Sequence, residues 1–194
     1  IEKFIVKDKN TNSITVELTG RRAEEYEFYI KAPNGEYKKV KDEKIDKAQI
    51  YGFTTITYTY EELISIGEDE SYKLKVIAKK GNKQASKEID SSIVAIEPAE
   101  GNVTIVSTPA DWTKGKITTT VETKLSQYTI QYQIDATSET ILDNSKWTNY
   151  TEAIVSEKNE VIYIRLWDGV NAGEITSQEI TKIDTDIPKK VVTV

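Results

Sequence analysis

Short runs in which apolar and polar residues alternate are the feature that most constrains how this sequence can fold. The period of two recurs in the first half at residues 14–18, 26–30, 56–60 and 72–78. Because successive side chains of a β-strand point to opposite faces, each run predicts a strand with one buried and one solvated face. Residues 59–66 are the one stretch that could hold a helical turn, and they are too short to change the fold class.

The second half repeats this pattern after an interruption. Residues 90–101 contain Pro98 and lack clean alternation, whereas new strand-like runs follow at 103–106, 117–121, 130–134, 162–166 and 175–183. Proline fixes its own φ and biases the preceding residue toward extended backbone, so Pro98 predicts a short linker near Glu97. We therefore predict domains at 1–96 and 97–188, with 189–194 as the start of a further module or a tail.

Each half has the length and the strand content of a small β-sandwich. About seven short strands in roughly 90 residues, separated by turn residues, are typical of two antiparallel sheets that pack face to face. The predicted fold class is all-β, with two consecutive antiparallel β-sandwich domains.

Residue types that most catalytic sites use are missing. The chain of 194 residues has no Cys and no His, which removes thiolate and imidazole chemistry, disulfides and histidine zinc sites. Neighbouring acids such as Glu24 with Glu25, Glu61 with Glu62 and Asp69 with Glu70 are best interpreted as solvated surface, because a glycosidase needs two carboxyls across a cleft. We expect no enzyme and no cofactor.

Charge and hydropathy argue against two classes of partner, nucleic acids and the membrane interior. The net charge is −6, whereas nucleic-acid binding needs a basic face, so we expect no nucleic-acid partner. No apolar run approaches the roughly 20 residues of a membrane span, so we expect no direct membrane insertion.

The first half resembles a fibronectin type III domain. The resemblance lies in NSITVEL at 12–18 as the second strand, YEFYIK at 26–31 as the third, and SYKLKVIAKKGN at 71–82 as the sixth strand and its turn. Tyr72 holds the place of the corner tyrosine of that family. The sequence departs from the family at Leu18, where many members carry a core tryptophan.

The second half resembles bacterial immunoglobulin-like modules that occur in tandem on Gram-positive surface proteins. The segments that carry the resemblance are 111–123, 128–135, 145–169 and ITKIDTDIP at 180–188. Together the two resemblances imply non-catalytic spacer or adhesion modules of an extracellular, bacterial cell-surface or secreted protein. Its partners would be neighbouring domains of the same chain and a host protein or glycan.

Aromatic residues of the second half suggest a ligand platform. Trp147, Tyr150 and Trp167 could stack against a sugar, because aromatic faces suit the C–H groups of pyranose rings. The alternative is that these rings cover the core. The platform belongs with an alternative function, an accessory carbohydrate-binding module of a secreted glycoside hydrolase. A phage tail or virion decoration module is a third reading of the same domains.

Oxygen-bearing loop residues leave calcium binding open. Asp168 and Asn171, together with Asp143, could supply oxygen ligands, and Asp184 with Asp186 forms a second such pair. These residue types are also ordinary turn formers. An intramolecular bond between a lysine and an asparagine, promoted by a buried acid, is a further hypothesis that the sequence does not assign to particular residues.

Overall fold

The computed structural model describes residues 1–185, which fall into two compact units, Ile1–Ala95 and a second unit that begins at Ile96. The predicted further module or tail at 189–194 and the candidate ligand Asp186 lie outside the described residues.

The first unit contains seven antiparallel strands in two sheets. One sheet has the order β1-β2-β5 and the other has the order β4-β3-β6-β7. The strands are β1 (Lys3–Lys9), β2 (Ile14–Arg21), β3 (Glu25–Lys31), β4 (Lys38–Lys44), β5 (Phe53–Tyr60), β6 (Tyr72–Lys80) and β7 (Lys83–Ser91), and a single 3₁₀ turn, η1 (Lys47–Gln49), precedes β5.

Alternation along the strands builds the core of this unit. Ile14, Val16 and Leu18 of β2 are fully buried, and they share one apolar cluster with Phe28 of β3 and Leu74 of β6. Since these residues come from both sheets, the two sheets pack through their apolar faces, as the period of two predicts.

The corner between β5 and β6 carries the predicted tyrosine. Tyr72 opens β6, and its hydroxyl donates a hydrogen bond to the carbonyl oxygen of Ile64 at 2.7 Å. A tyrosine at the start of this strand that bonds back to the upstream backbone is the corner that sandwich domains use.

The helical turn considered for 59–66 does not form. Strand β5 continues to Tyr60, and Glu62 then adopts a left-handed backbone with φ 56°. The amide of Leu63 donates instead to the carbonyl of Asn12 at 2.8 Å. This long-range bond replaces the local bond that a helical turn would need.

The second unit repeats the strand order of the first. Its sheets have the orders β12-β9-β8 and β11-β10-β13-β14. The strands are β8 (Val103–Thr108), β9 (Ile117–Thr123), β10 (Thr129–Ile134), β11 (Thr148–Asn149), β12 (Ile154–Ser156), β13 (Glu160–Trp167) and β14 (Thr176–Ile180), with 3₁₀ turns η2 (Thr140–Leu142) and η3 (Asn144–Lys146) between β10 and β11.

The core of the second unit lies between its two sheets. Ile117 and Val121 of β9 pack with Ile162 and Ile164 of β13 and with Ile180 of β14. The prediction of two antiparallel β-sandwiches is thus confirmed for the described residues. The two halves resemble two different families in sequence, yet both units have the same arrangement, a three-stranded sheet packed on a four-stranded sheet.

Backbone hydrogen bonds show that the chain passes through the first unit from end to end. After β7, the amide of Val94 donates to the carbonyl of Asn10 at 2.8 Å, and the Nζ of Lys9 lies 3.4 Å from the Oγ of Ser92. Asn10 directly follows β1, so the chain leaves beside the far end of the strand by which it entered.

The exit of the second unit has the same relation to its first strand. In the loop after β8, the amide of Thr113 donates to the carbonyl of Lys182 at 3.0 Å, and the amide of Asp184 donates to the carbonyl of Thr113 at 2.8 Å. Each unit therefore has its entry and its exit at opposite ends of the sandwich.

A close approach of Gly20 to Tyr26 gives a test of the first core. A Cβ atom at Gly20 would lie 1.8 Å from the hydroxyl oxygen of Tyr26, whose side chain is fully buried. We expect Gly20→Ala to lower the free energy of unfolding of the first unit by about 1–3 kcal/mol or more through overpacking. Thermal unfolding followed by circular dichroism measures the loss.

Gly52→Ala is the matched control. Its added Cβ would meet nothing closer than the carbonyl oxygen of Gln49 at 4.0 Å, so we expect a change within about 0.5 kcal/mol. Equal stability of the two variants would contradict the close packing of Gly20 against Tyr26.

Candidate functional site

The outer face of the four-stranded sheet in the second unit holds a buried arginine between two tryptophans. Arg165 of β13 is only 3% exposed, and its guanidinium carbon lies 4.3 Å from the centroid of the Trp147 ring and 4.9 Å from that of Trp167. A cation over an aromatic face is attracted by the negative charge of the π-system. The three side chains form a stack, which we call the Trp–Arg–Trp stack.

Two amide side chains accept hydrogen bonds from the arginine. Gln131, its cross-strand neighbour on β10, accepts from Nε at 2.9 Å and from Nη2 at 2.7 Å through one oxygen. Asn144 of η3 accepts from Nη1 at 2.7 Å. Among residues 1–185 no carboxylate forms an ion pair with this guanidinium, and its burial lowers the pKa of Arg165 to about 10.

The loop between β10 and β11 covers this face. The indole N–H of Trp147 donates to the carbonyl of Ile141 at 3.2 Å, and the side-chain amide of Gln133 donates to the carbonyl of Thr140 at 2.9 Å. Both Gln133 and Trp147 are only 7% exposed. Polar side chains that alternation assigns to solvent are therefore shielded by a loop.

The structure brings two residues of the predicted platform together, since Trp147 and Trp167 both lie against Arg165, and it places Tyr150 elsewhere. Trp147 lies beneath the loop, and Trp167 is half-buried against Arg165. Tyr150 packs edge-on against Tyr132, and its hydroxyl accepts from the amide of Val121 at 3.1 Å. Trp147 is 7% exposed and presents little of its ring to solvent, and the sugar platform at these residues stays a prediction.

Trp112 is the tryptophan most open to solvent. It is 70% exposed and lies in the loop between β8 and β9.

The candidate calcium ligands are used in turns. Asp168 accepts from the amides of Val170 and Asn171 at 2.8 and 2.7 Å, and Asp143 caps η3 by accepting from the amide of Ser145 at 2.9 Å. The hydrogen bonds from Ser145 lower the pKa of Asp143. These contacts match the turn-forming role that Asp and Asn have in loops.

The first unit has a different polar cluster on the equivalent face. Glu27 of β3 is 5% exposed, and its carboxylate contacts the Nζ atoms of Lys39 at 2.5 Å and Lys79 at 2.6 Å. The hydroxyl of Tyr29 donates to the same carboxylate at 2.9 Å. Hydrogen bonds from Lys39 and Lys79 are the main cause that lowers the pKa of Glu27 to about 2.

Sequence reasoning missed this cluster because its members lie on three different strands. Carboxylate oxygens of Glu25, Glu27 and Asp42 come within 4.8 Å of one another, but Lys39 also contacts Asp42 at 2.6 Å. The ammonium groups thus supply the positive charge that a metal ion would bring.

Comparisons with known proteins give a structural neighbour but no match to a family or to a curated protein. No family model matches the chain, and no curated protein matches it. A solved two-domain fibronectin type III segment of chicken tenascin is similar to it at 14% sequence identity and a TM-score of 0.39, over 92% of this chain and 97% of that one. The assignment of two β-sandwiches rests on the strand order and on the two apolar cores. In the described part of the chain, no helix has the length and apolarity that crossing a membrane requires.

The ion cluster around Glu27 predicts a pH-dependent stability. Its lowered pKa means that the carboxylate stabilises the first unit above about pH 4.5, and that this stability is lost as the pH falls toward about 2. We expect the unfolding temperature of the wild type to fall more steeply over that range than that of Glu27→Gln, as measured by calorimetry.

Glu61→Gln is the control, because Glu61 is exposed and forms no ion pair within residues 1–185. In this variant the unfolding temperature should fall with pH as steeply as in the wild type. If the unfolding temperature of Glu27→Gln also falls as steeply as that of the wild type, the cluster contributes nothing to acid stability.

The Trp–Arg–Trp stack predicts unequal roles for two tryptophans. We expect Trp147→Phe to lower the free energy of unfolding of the second unit by about 1–3 kcal/mol, because it loses the bond to Ile141 and part of the stacking on Arg165. We expect Trp112→Phe to change it by less than about 0.5 kcal/mol.

Denaturant unfolding followed by tryptophan fluorescence measures both variants in the full chain. All three tryptophans lie in the second unit, so the signal reports that unit alone, and each variant keeps two of them. Similar losses in the two variants would contradict a structural role for the stack.

Proposed function

We propose that the two units are non-catalytic spacer modules of an extracellular protein, on a bacterial surface or secreted, and that they hold neighbouring domains apart. The observation that carries the proposal is the path of the chain. In each unit it enters at one end of the sandwich and leaves at the other, so a domain before the unit and a domain after it are attached at opposite ends.

The fixed exits support this role. A spacer transmits position only if its ends are held. The exit segment of each unit is hydrogen-bonded to the backbone of the segment that follows its first strand. In the first unit this is the bond between Val94 and Asn10, and in the second it is the pair of bonds between Thr113 and residues 182 and 184. Strand β1 has seven residues, which corresponds to about 23 Å along the sandwich.

The use of buried charge supports a non-catalytic role. Glu27 and Arg165 are the buried charged residues of the described chain, and both are engaged by partners within their own unit. Their hydrogen bonds tie neighbouring strands together.

Spin-label distances test the spacer geometry. The chain has no cysteine, so two introduced cysteines are the sole labelling sites. We expect a backbone separation of about 20–25 Å for Lys3→Cys with Asp90→Cys, because six residues of β1 contribute about 20 Å. Electron paramagnetic resonance on the full chain measures this distance.

Lys9→Cys with Asp90→Cys is the same-end control, for which we expect about 10 Å, the distance between packed sheets. Equal distances in the two pairs would overturn the end-to-end path.

The extracellular location has its own test. Antibodies against the chain should stain intact source cells or detect the chain in the medium, and detection only after lysis would overturn the extracellular location.

A further inference from the structure

A small pocket with a basic rim lies at the entry end of the first unit. It has a volume of about 180 Å³ and is formed by the turn between β2 and β3 and by the hairpin of β6 and β7. Four cationic residues at its rim, Arg21, Arg22, Lys80 and Lys83, surround small side chains that include Ala23. We call this site the basic pocket.

Three of these cations are available to a ligand. Arg22, Lys80 and Lys83 are exposed, and no carboxylate in residues 1–185 forms an ion pair with any of them. Lys79 also lines the pocket, but its ammonium is engaged by Glu27 at 2.6 Å. A concave site lined by one sign of charge concentrates the field and attracts counter-ions.

The fourth cation is already positioned. The guanidinium of Arg21 lies 3.9 Å above the ring centroid of Phe53, its cross-strand neighbour, and 3.9 Å from the carboxylate of Glu2. Stacking orients the guanidinium at the rim, where it lies over one face of the exposed Phe53 ring.

Hydrogen bonds fix the two walls of the pocket to each other. The amide of Gly81 in the hairpin donates to the carboxylate of Glu24 at 3.1 Å, and the amide of Glu24 donates to the carbonyl of Lys79 at 2.8 Å. One carboxylate oxygen of Glu24 is used by this bond. The cations are therefore held on a fixed frame, which reduces the ordering cost of binding.

We propose that the basic pocket binds the sulfate or carboxylate groups of an acidic polysaccharide. Its volume is smaller than the roughly 300 Å³ of pockets that enclose a whole small molecule, so it accommodates one charged unit of a chain that continues into solvent. A polysaccharide fits better than a nucleic acid, because single strands bind through aromatic faces that stack on bases, and the residues that line the pocket include no aromatic side chain. The proposal rests on the extracellular function proposed above.

Binding measurements on the full chain test the proposal. The probes are a heparin oligosaccharide for sulfates, hyaluronan for carboxylates and a single-stranded oligothymidylate, all at about 0.1 M NaCl, where exposed charges still interact over roughly 10 Å. We expect heparin, hyaluronan or both to bind, and we expect the double variant Lys80→Gln with Lys83→Gln to weaken that binding about tenfold or more.

Lys38→Gln with Lys87→Gln is the matched control. It removes the same charge from two exposed lysines of this unit that lie outside the pocket and form no ion pair in the described chain, so we expect less than about a twofold change. Failure of both polysaccharides to bind, equal weakening in the two double variants, or tighter binding of the oligothymidylate would each overturn the proposal. None of these results changes the spin-label distances, so the spacer geometry is judged separately.

Discussion

Apolar packing between a three-stranded and a four-stranded sheet is the interaction on which each unit depends. The chain has no cysteine, so no disulfide links the two sheets, and their association relies on side chains such as Leu18 and Leu74 in the first unit and Ile117 and Ile164 in the second. Burial of such side chains contributes roughly 1.5–3 kcal/mol each. Two separate clusters of this kind explain why the chain forms two compact units.

The outer face of each four-stranded sheet buries a charged residue, and the two units stabilise that charge differently. Each face shields one charged residue on a central strand, Glu27 in the first unit and Arg165 in the second. The acid is balanced by two lysines from neighbouring strands, whereas the arginine is balanced by two indole rings and two amide oxygens. A buried charge that lost its partners would be costly, so these contacts fix which strands lie side by side.

The ends of the sandwiches carry the features on which the proposed functions depend. Interior strand positions are committed to packing, whereas strand ends and turns present charge to solvent. The basic pocket of the first unit lies at its entry end and uses the β2–β3 turn together with the β6–β7 hairpin. In the functions we propose, the strands hold neighbouring domains apart and the basic pocket contacts an acidic polysaccharide.

The sequence by itself determined the fold class and most strands of the core, because these follow from local alternation, and the resemblance to fibronectin type III domains indicated the corner role of Tyr72. The sequence did not determine that Trp147 and Arg165 are buried from solvent, or that Glu27 contacts two lysines, because those environments arise where distant segments meet. Period-two alternation assigns a residue to a face of its own strand. Only the tertiary structure decides whether a loop or a neighbouring strand covers that face.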